Sequence, residues 1–146
     1  MPIDRPSLAD VLAAAAVIRG QADSTPLVPS QIPGLGQEML LKLECTQPMG
    51  AFKLRGALNA LAALPHGTSG VVCCSTGNHG RALAYGARQR GMRAVVCMSD
   101  LVPATKVAAI RALGAEVRIV GRSQDDAAAE SLRLVATEGL VEIPPF

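Results

Sequence analysis

The chain has 146 residues, 49% hydrophobic and 18% charged, with 14 basic against 12 acidic side chains and a net charge of +2. That length suits one domain or part of a larger one, and the ratio of apolar to charged residues excludes a disordered chain. One Tyr, two Phe and no Trp leave little to stack on bases, and the eleven arginines are scattered, so nucleic acid is not an expected partner.

Ser7 is a suitable helix N-cap, and Leu8, Val11, Leu12, Ala15 and Ile18 recur at helical spacing, which predicts an amphipathic helix ending near Gly20. The same stretch is short and apolar like a signal core, but Asp4 and Asp10 spoil the basic start, and no run approaches the roughly 20 apolar residues of a membrane span. No membrane partner is expected. Thr25 to Gly36, with three prolines and two glycines, reads as loop or extended connection. Met39 to Glu44 reads as a short strand, Gln47 to Gly50 as a turn, and Phe52 to Leu64 as a helix closed by Pro65 and Gly67.

From there the pattern is regular. Strands are predicted at Val71 to Ser75, Ala94 to Met98, Glu116 to Val120 and from Val141. Helices are predicted at Asn78 to Arg90, Thr105 to Leu113 and Ser123 to Glu138, stopped by Gly91, Gly114 and Gly139. Short strands alternating with longer helices define an open α/β fold, a parallel sheet with helices on both faces. Ligands gather at the carboxyl ends of such strands, so the loop after Ser75 and the turn before Lys53 are where chemistry is sought.

Two segments stand out. Ser75-Thr76-Gly77-Asn78-His79-Gly80 leaves a strand and opens a helix, where unpaired N–H groups and the macrodipole favour a carboxylate or a phosphate. The plainer alternative is that Asn78 caps the helix and the glycines turn the chain. Lys53, one of only three lysines, sits between Phe52 and Leu54 just after a turn. Partly desolvated among apolar neighbours, its amine would suit Schiff-base chemistry, which an arginine could not perform. Taken singly, such a lysine more often lays its stem on apolar surface with its head in water.

Other groups read as structural. His79 has no second histidine nearby, His66 falls in a turn, and Asp125 with Asp126 supplies first-turn acids to a helix capped by Ser123. Cys45, Cys73, Cys74 and Cys97 form no C-x-x-C pair. Alternation points Cys73 and Cys74 to opposite faces, so buried free thiols are expected, no metal site, and a reducing cytoplasm. Neither a G-x-S-x-G elbow nor a metal-spaced His/Glu set is present.

Leu43-Glu44, then Gln47-Pro48-Met49-Gly50-Ala51-Phe52-Lys53-Leu54-Arg55-Gly56-Ala57, then Ser75 to Gly80 together resemble the fold-type II pyridoxal-phosphate enzymes, above all the threonine/serine dehydratases and serine racemase. The runs Met98 to Lys106, Arg111 to Val117 and Gly121 to Asp126 resemble the hydroxyectoine-utilisation dehydratase branch. Two motifs in the right order are far more specific than either alone, and they outweigh the plain reading of Lys53.

The resemblance implies pyridoxal 5'-phosphate as cofactor, held by Lys53 as a Schiff base, with the freed amine acting as base at the substrate α-carbon. It implies Phe52 beside the cofactor ring and Asn78 on the phenolic oxygen. It also implies the Ser75, Thr76, Gly77, Asn78 and His79 segment on the carboxylate of a small amino-acid substrate. Loss of the α-proton and the β-hydroxyl would give a 2-oxo acid and ammonia. Ala51 stands where many relatives have serine. Thr76 stands where racemising relatives carry a serine hydroxyl and many dehydratases an alanine, which keeps racemase activity open.

Relatives are much longer, with a glycine-rich phosphate loop in their later half. The chain therefore resembles an N-terminal fragment: residues 1–50 from the larger cofactor domain and 51–146 a small inserted α/β domain. It is expected to be inactive alone, to hold the cofactor weakly or not at all, and to belong to a homo-oligomer when full length. A third possibility is a non-catalytic carboxylate-binding or interaction module.

Overall fold

The capping box at the first helix shows how local signals build this chain. In a computed structural model, which describes residues 5–30 and 39–145, the Ser7 hydroxyl accepts from Asp10 N–H and the Asp10 carboxylate accepts from Ser7 N–H, opening α1 (Leu8–Val17). The apolar stripe of α1 does not turn inward, however. Leu8, Val11 and Leu12 are exposed, and only Ile18, just past the helix, is buried. Local capping makes the helix, and its contact with the rest of the described chain is concentrated at that end.

The connection that follows is partly regular. Leu27–Pro29 (β1) pairs antiparallel with Leu40–Lys42 (β2), Val28 opposite Leu41. The rest of the expected loop, residues 31–36, lies outside the described residues. The strand expected to reach Glu44 stops at Lys42 because Glu44–Thr46 curls into a 3-10 turn, fastened by the Thr46 hydroxyl on Leu43 O at 2.8 Å.

The main sheet has four parallel strands in the order β5-β4-β3-β6: Val71–Cys74 (β3), Ala94–Met98 (β4), Glu116–Ile119 (β5) and Val141–Glu142 (β6). Cys74 is in register with Cys97, and Val72 with Glu142. Lys53–Ala62 (α2), Asn78–Gln89 (α3) and Ala104–Arg111 (α4) cover one face through Leu61, Leu83, Ile110, Cys73 and Val96. Gln124–Glu138 (α5) covers the other through Ala127 and Leu134 on Val72, Val95 and Cys97. The expected helices on both faces are therefore found, and Cys73 and Cys74 do point to opposite sides.

One close approach positions the site. A Cβ on Gly86 of α3 would lie 2.6 Å from Leu61 Cδ1 and 3.3 Å from Leu58 Cδ2, so α2 and α3 pack closely because that position lacks a side chain. A cluster of Ile18, Met49, Leu54, Ala57, Leu58 and Ala82 seals the start of α2 to α3 and to the segments before it. Burial of this kind is worth about 1.5 to 3 kcal/mol per large aliphatic side chain.

Candidate active site

Gly50 adopts φ +73°, in the left-handed region that a side chain resists, and its N–H bonds Gln47 O at 2.7 Å. This turn delivers Lys53 as the first residue of α2. Leu54, fully buried, fixes the helix rotation, and Lys53 is left half-buried at the mouth of a cavity of about 660 Å3. Phe52, Ala57, Ala60, Ile143 and Pro144 give it apolar walls, and Lys53, His79, Lys42, Glu44 and Arg55 border it. The Lys53 Nζ stands 5.5 Å from the Phe52 ring centroid, within cation–π range, and donates to Pro145 O at 2.5 Å.

On the opposite side, β3 ends at Cys74, and Ser75 N–H bonds Cys97 O on the neighbouring strand. The buried Ser75 hydroxyl accepts from Gly77 N–H at 3.3 Å and from Gly80 N–H at 3.0 Å, so it is used inside the loop. Asn78 does not cap the helix. The N-cap is Gly77, without a side-chain bond, and Asn78 and Thr76 are exposed. Of the amides at the start of α3, those of Gly77 and Gly80 are taken by the Ser75 hydroxyl, and those of Asn78 and His79 precede the helical ladder.

His79 is buried, and its Nε2 stands 2.8 Å from Ile143 O. A carbonyl can only accept, so Nε2 carries the proton. Burial pushes the imidazole below its ordinary pKa; the Lys53 charge adds to this and the Ile143 carbonyl opposes it.

The structure thus brings Lys53, Phe52 and His79 to one cavity. Ser75, Thr76, Gly77 and Asn78 do not border it; they form the loop behind His79. Two features escaped the sequence. The strap Ile143-Pro144-Pro145, of which the sequence predicts only Ile143 within a strand begun at Val141, forms a wall of the cavity. Glu44, eleven residues before Arg55, meets it in a two-point ion pair. Neither contact follows a local period, although the Pro-Pro pair signals extended chain. Among the described residues no group of three or more His, Cys, Asp or Glu could hold a metal ion, and no helix is long and apolar enough to cross a membrane.

The parallel α/β sheet with helices on both faces matches a class, the fold-type II pyridoxal-phosphate enzymes. The family model "Pyridoxal-phosphate dependent enzyme" matches residues 18–146, and the chain belongs to that family. It is 60% identical over 113 residues to a Sinorhizobium fredii protein named "Putative threonine dehydratase", covering 76% of this chain and 34% of that one. Maize serine racemase superposes with a TM-score of 0.89 at 32% identity, covering 96% of this chain and 44% of that one. Threonine deaminase isoform 2 from Solanum lycopersicum gives 0.84 at 34% identity, covering 95% and 41%. The chain spans between about a third and under half of the length of these relatives.

Proposed function

We propose that this chain supplies the amine-bearing part of a pyridoxal-phosphate-dependent ammonia-lyase acting on L-threonine or L-serine. The observation that carries the reading is the Lys53 Nζ at the mouth of an apolar cavity that it shares with Phe52 and His79. The donor set fits the cofactor: a primary amine for its aldehyde carbon, an aromatic ring for its face, and a volume within the roughly 300 to 1,000 Å3 of small-molecule sites.

In this reading Lys53 would hold the cofactor through Nζ and, when that amine is free, would take the substrate α-proton. Phe52 would flank the ring, and Asn78, exposed on the loop next to the cavity and not part of its wall, would donate to the phenolic oxygen. The main-chain amides of Thr76, Asn78 and His79 would hold the substrate carboxylate, with Ser75 fixing their loop from within. His79 holds the strap against the cavity, and the apolar walls exclude water. When bound, the cofactor acts as an electron sink that makes the α-proton removable and lets the β-hydroxyl leave.

The runs around Met98 to Lys106 and Gly121 to Asp126 support a place in hydroxyectoine breakdown. The separation of the β1–β2 ribbon from the four-stranded sheet supports residues 1–50 as part of a larger domain and 51–146 as the small one. Four free cysteines support a reducing, cytoplasmic location.

The test is a hybrid in which this chain replaces the matching portion of a threonine dehydratase. Ammonia and 2-oxo acid should be released from L-threonine or L-serine, and Lys53→Ala should abolish this; release that survives the substitution would refute the reading. The exposed Thr76 hydroxyl favours racemisation as a second reading, decided by whether D-serine accumulates from L-serine.

A further inference from the structure

The first turn of α2 carries two cations, Lys53 and Arg55, and no acid, at the helix end where the macrodipole is already positive. Its N-cap, Phe52, offers no side-chain bond. What holds this turn comes from elsewhere. Arg55 Nε donates to Glu44 Oε2 at 2.9 Å and Nη2 to Oε1 at 2.8 Å, a two-point pairing that fixes direction as well as distance.

Glu44 is fixed in its turn. Its carboxylate also accepts from the Thr25 hydroxyl at 2.5 Å and from Gln47 Nε2 at 3.4 Å. Gln47 is bound to the Asp23 backbone in both directions, at 3.0 and 2.9 Å, and Arg55 Nη2 also reaches Asp23 O at 2.9 Å. Three separate stretches of chain, 23–25, 44–47 and the start of α2, are thereby locked at the rim of the cavity that Lys53 enters.

We propose that Glu44, acting through Arg55, is a positioning residue that sets the aim of the Lys53 amine. The inference rests on the reading of Lys53 given above. Arg55 is two residues from Lys53 on the same uncapped turn, so loss of the clamp would let the solvent-facing start of that turn fray and displace Nζ relative to Phe52 and the cavity. Misplacement of a reacting amine by about 1 Å can cost a hundredfold in rate, whereas the buried side of the turn stays pinned by Leu54.

The test uses the full 146-residue chain and its three lysines, Lys42, Lys53 and Lys106. Pyridoxal 5'-phosphate joins each amine with loss of water, borohydride delivers hydride to make the link permanent, and peptide mass analysis reads the label at each lysine. In the unaltered chain Lys53 should be labelled well ahead of the exposed Lys106. Glu44→Gln should lower the Lys53 label roughly tenfold relative to Lys106, with helix content by circular dichroism unchanged. Arg55→Gln, which adds no amine, should do the same, and the double variant should fall no further than either single one.

No preference for Lys53 over Lys106 in the unaltered chain overturns this inference alone, because a weak hold on the cofactor is already expected there; the functional reading falls only if the hybrid's activity survives Lys53→Ala. A preference that survives Glu44→Gln overturns the positioning role alone, and so does an additive double variant. If Glu44→Gln does not fold, Arg55→Gln decides by the same ratio; if both melt, the pair is a structural clamp and the inference fails.

Discussion

Lys53 and His79 grip the same strap two residues apart: the lysine Nζ lies 2.5 Å from Pro145 O and the histidine Nε2 2.8 Å from Ile143 O. Side chains from α2 and α3 therefore hold the extended chain leaving β6, and the cavity wall stands where both can reach it. His79→Phe fills the same space but leaves a buried carbonyl without a donor. It should cost about 1 to 3 kcal/mol in denaturant unfolding, and His79→Gln, which can still donate, should cost less.

Acid should weaken the fold in two separate windows. His79 is pushed below its ordinary value of 6.5, so the unfolded chain binds its proton first, and stability falls as pH drops through and below 6.5. Glu44, held at about 2 by Arg55 against an ordinary 4.5, contributes stability that is present above 4.5 and lost as pH falls from there to about 2. Allowing for screening at the partly exposed Arg55, that contribution is about 1 to 2 kcal/mol. Melting curves across pH should show His79→Gln flattening the upper step and Glu44→Gln the lower; a single step untouched by either would contradict this.

Within α5, two leucines two residues apart should behave oppositely. Leu134 is fully buried against β3 and β4, whereas Leu132 is 57% exposed. Leu134→Ala should cost about 2 to 5 kcal/mol, from lost transfer energy and the cavity left behind. Leu132→Ala should stay within about 0.5 kcal/mol. Equal losses would mean that α5 is rotated from the orientation described.

The thiols should react in order of access. Cys45 is exposed, Cys74 is half-buried with its thiol raised by burial, and Cys97 is pushed up to about 12. Cys73, buried on the other face, is raised further still. Under mild alkylation followed by peptide mapping, Cys45 should label first and Cys74 slowly. Cys73 and Cys97 should label only after unfolding.

Capping and periodicity made much of the fold legible. β4 was read to the residue from its unbroken apolar run, and Ser123 with Asp126 was read as the start of α5, where the two form a reciprocal cap. Lys53 and the Ser75 to Gly80 loop were legible as one constellation only through their joint resemblance to a family. The pattern predicts α1 as an amphipathic helix, and its apolar stripe is exposed among the described residues, because periodicity says which face is apolar and not what covers it.

By itself, then, the sequence determined what nearest neighbours along the chain decide: where helices start and stop, which strands are buried on both faces, and where a lone amine follows a tight turn. The tertiary structure alone decided the Glu44 to Arg55 clamp and the grip of Lys53 and His79 on residues 143–145. Those partners are separated by 11, 92 and 64 positions. Contacts at such separations obey no local period; they form because close packing of α2 on α3, and of both on the sheet, brings distant donors and acceptors to one rim.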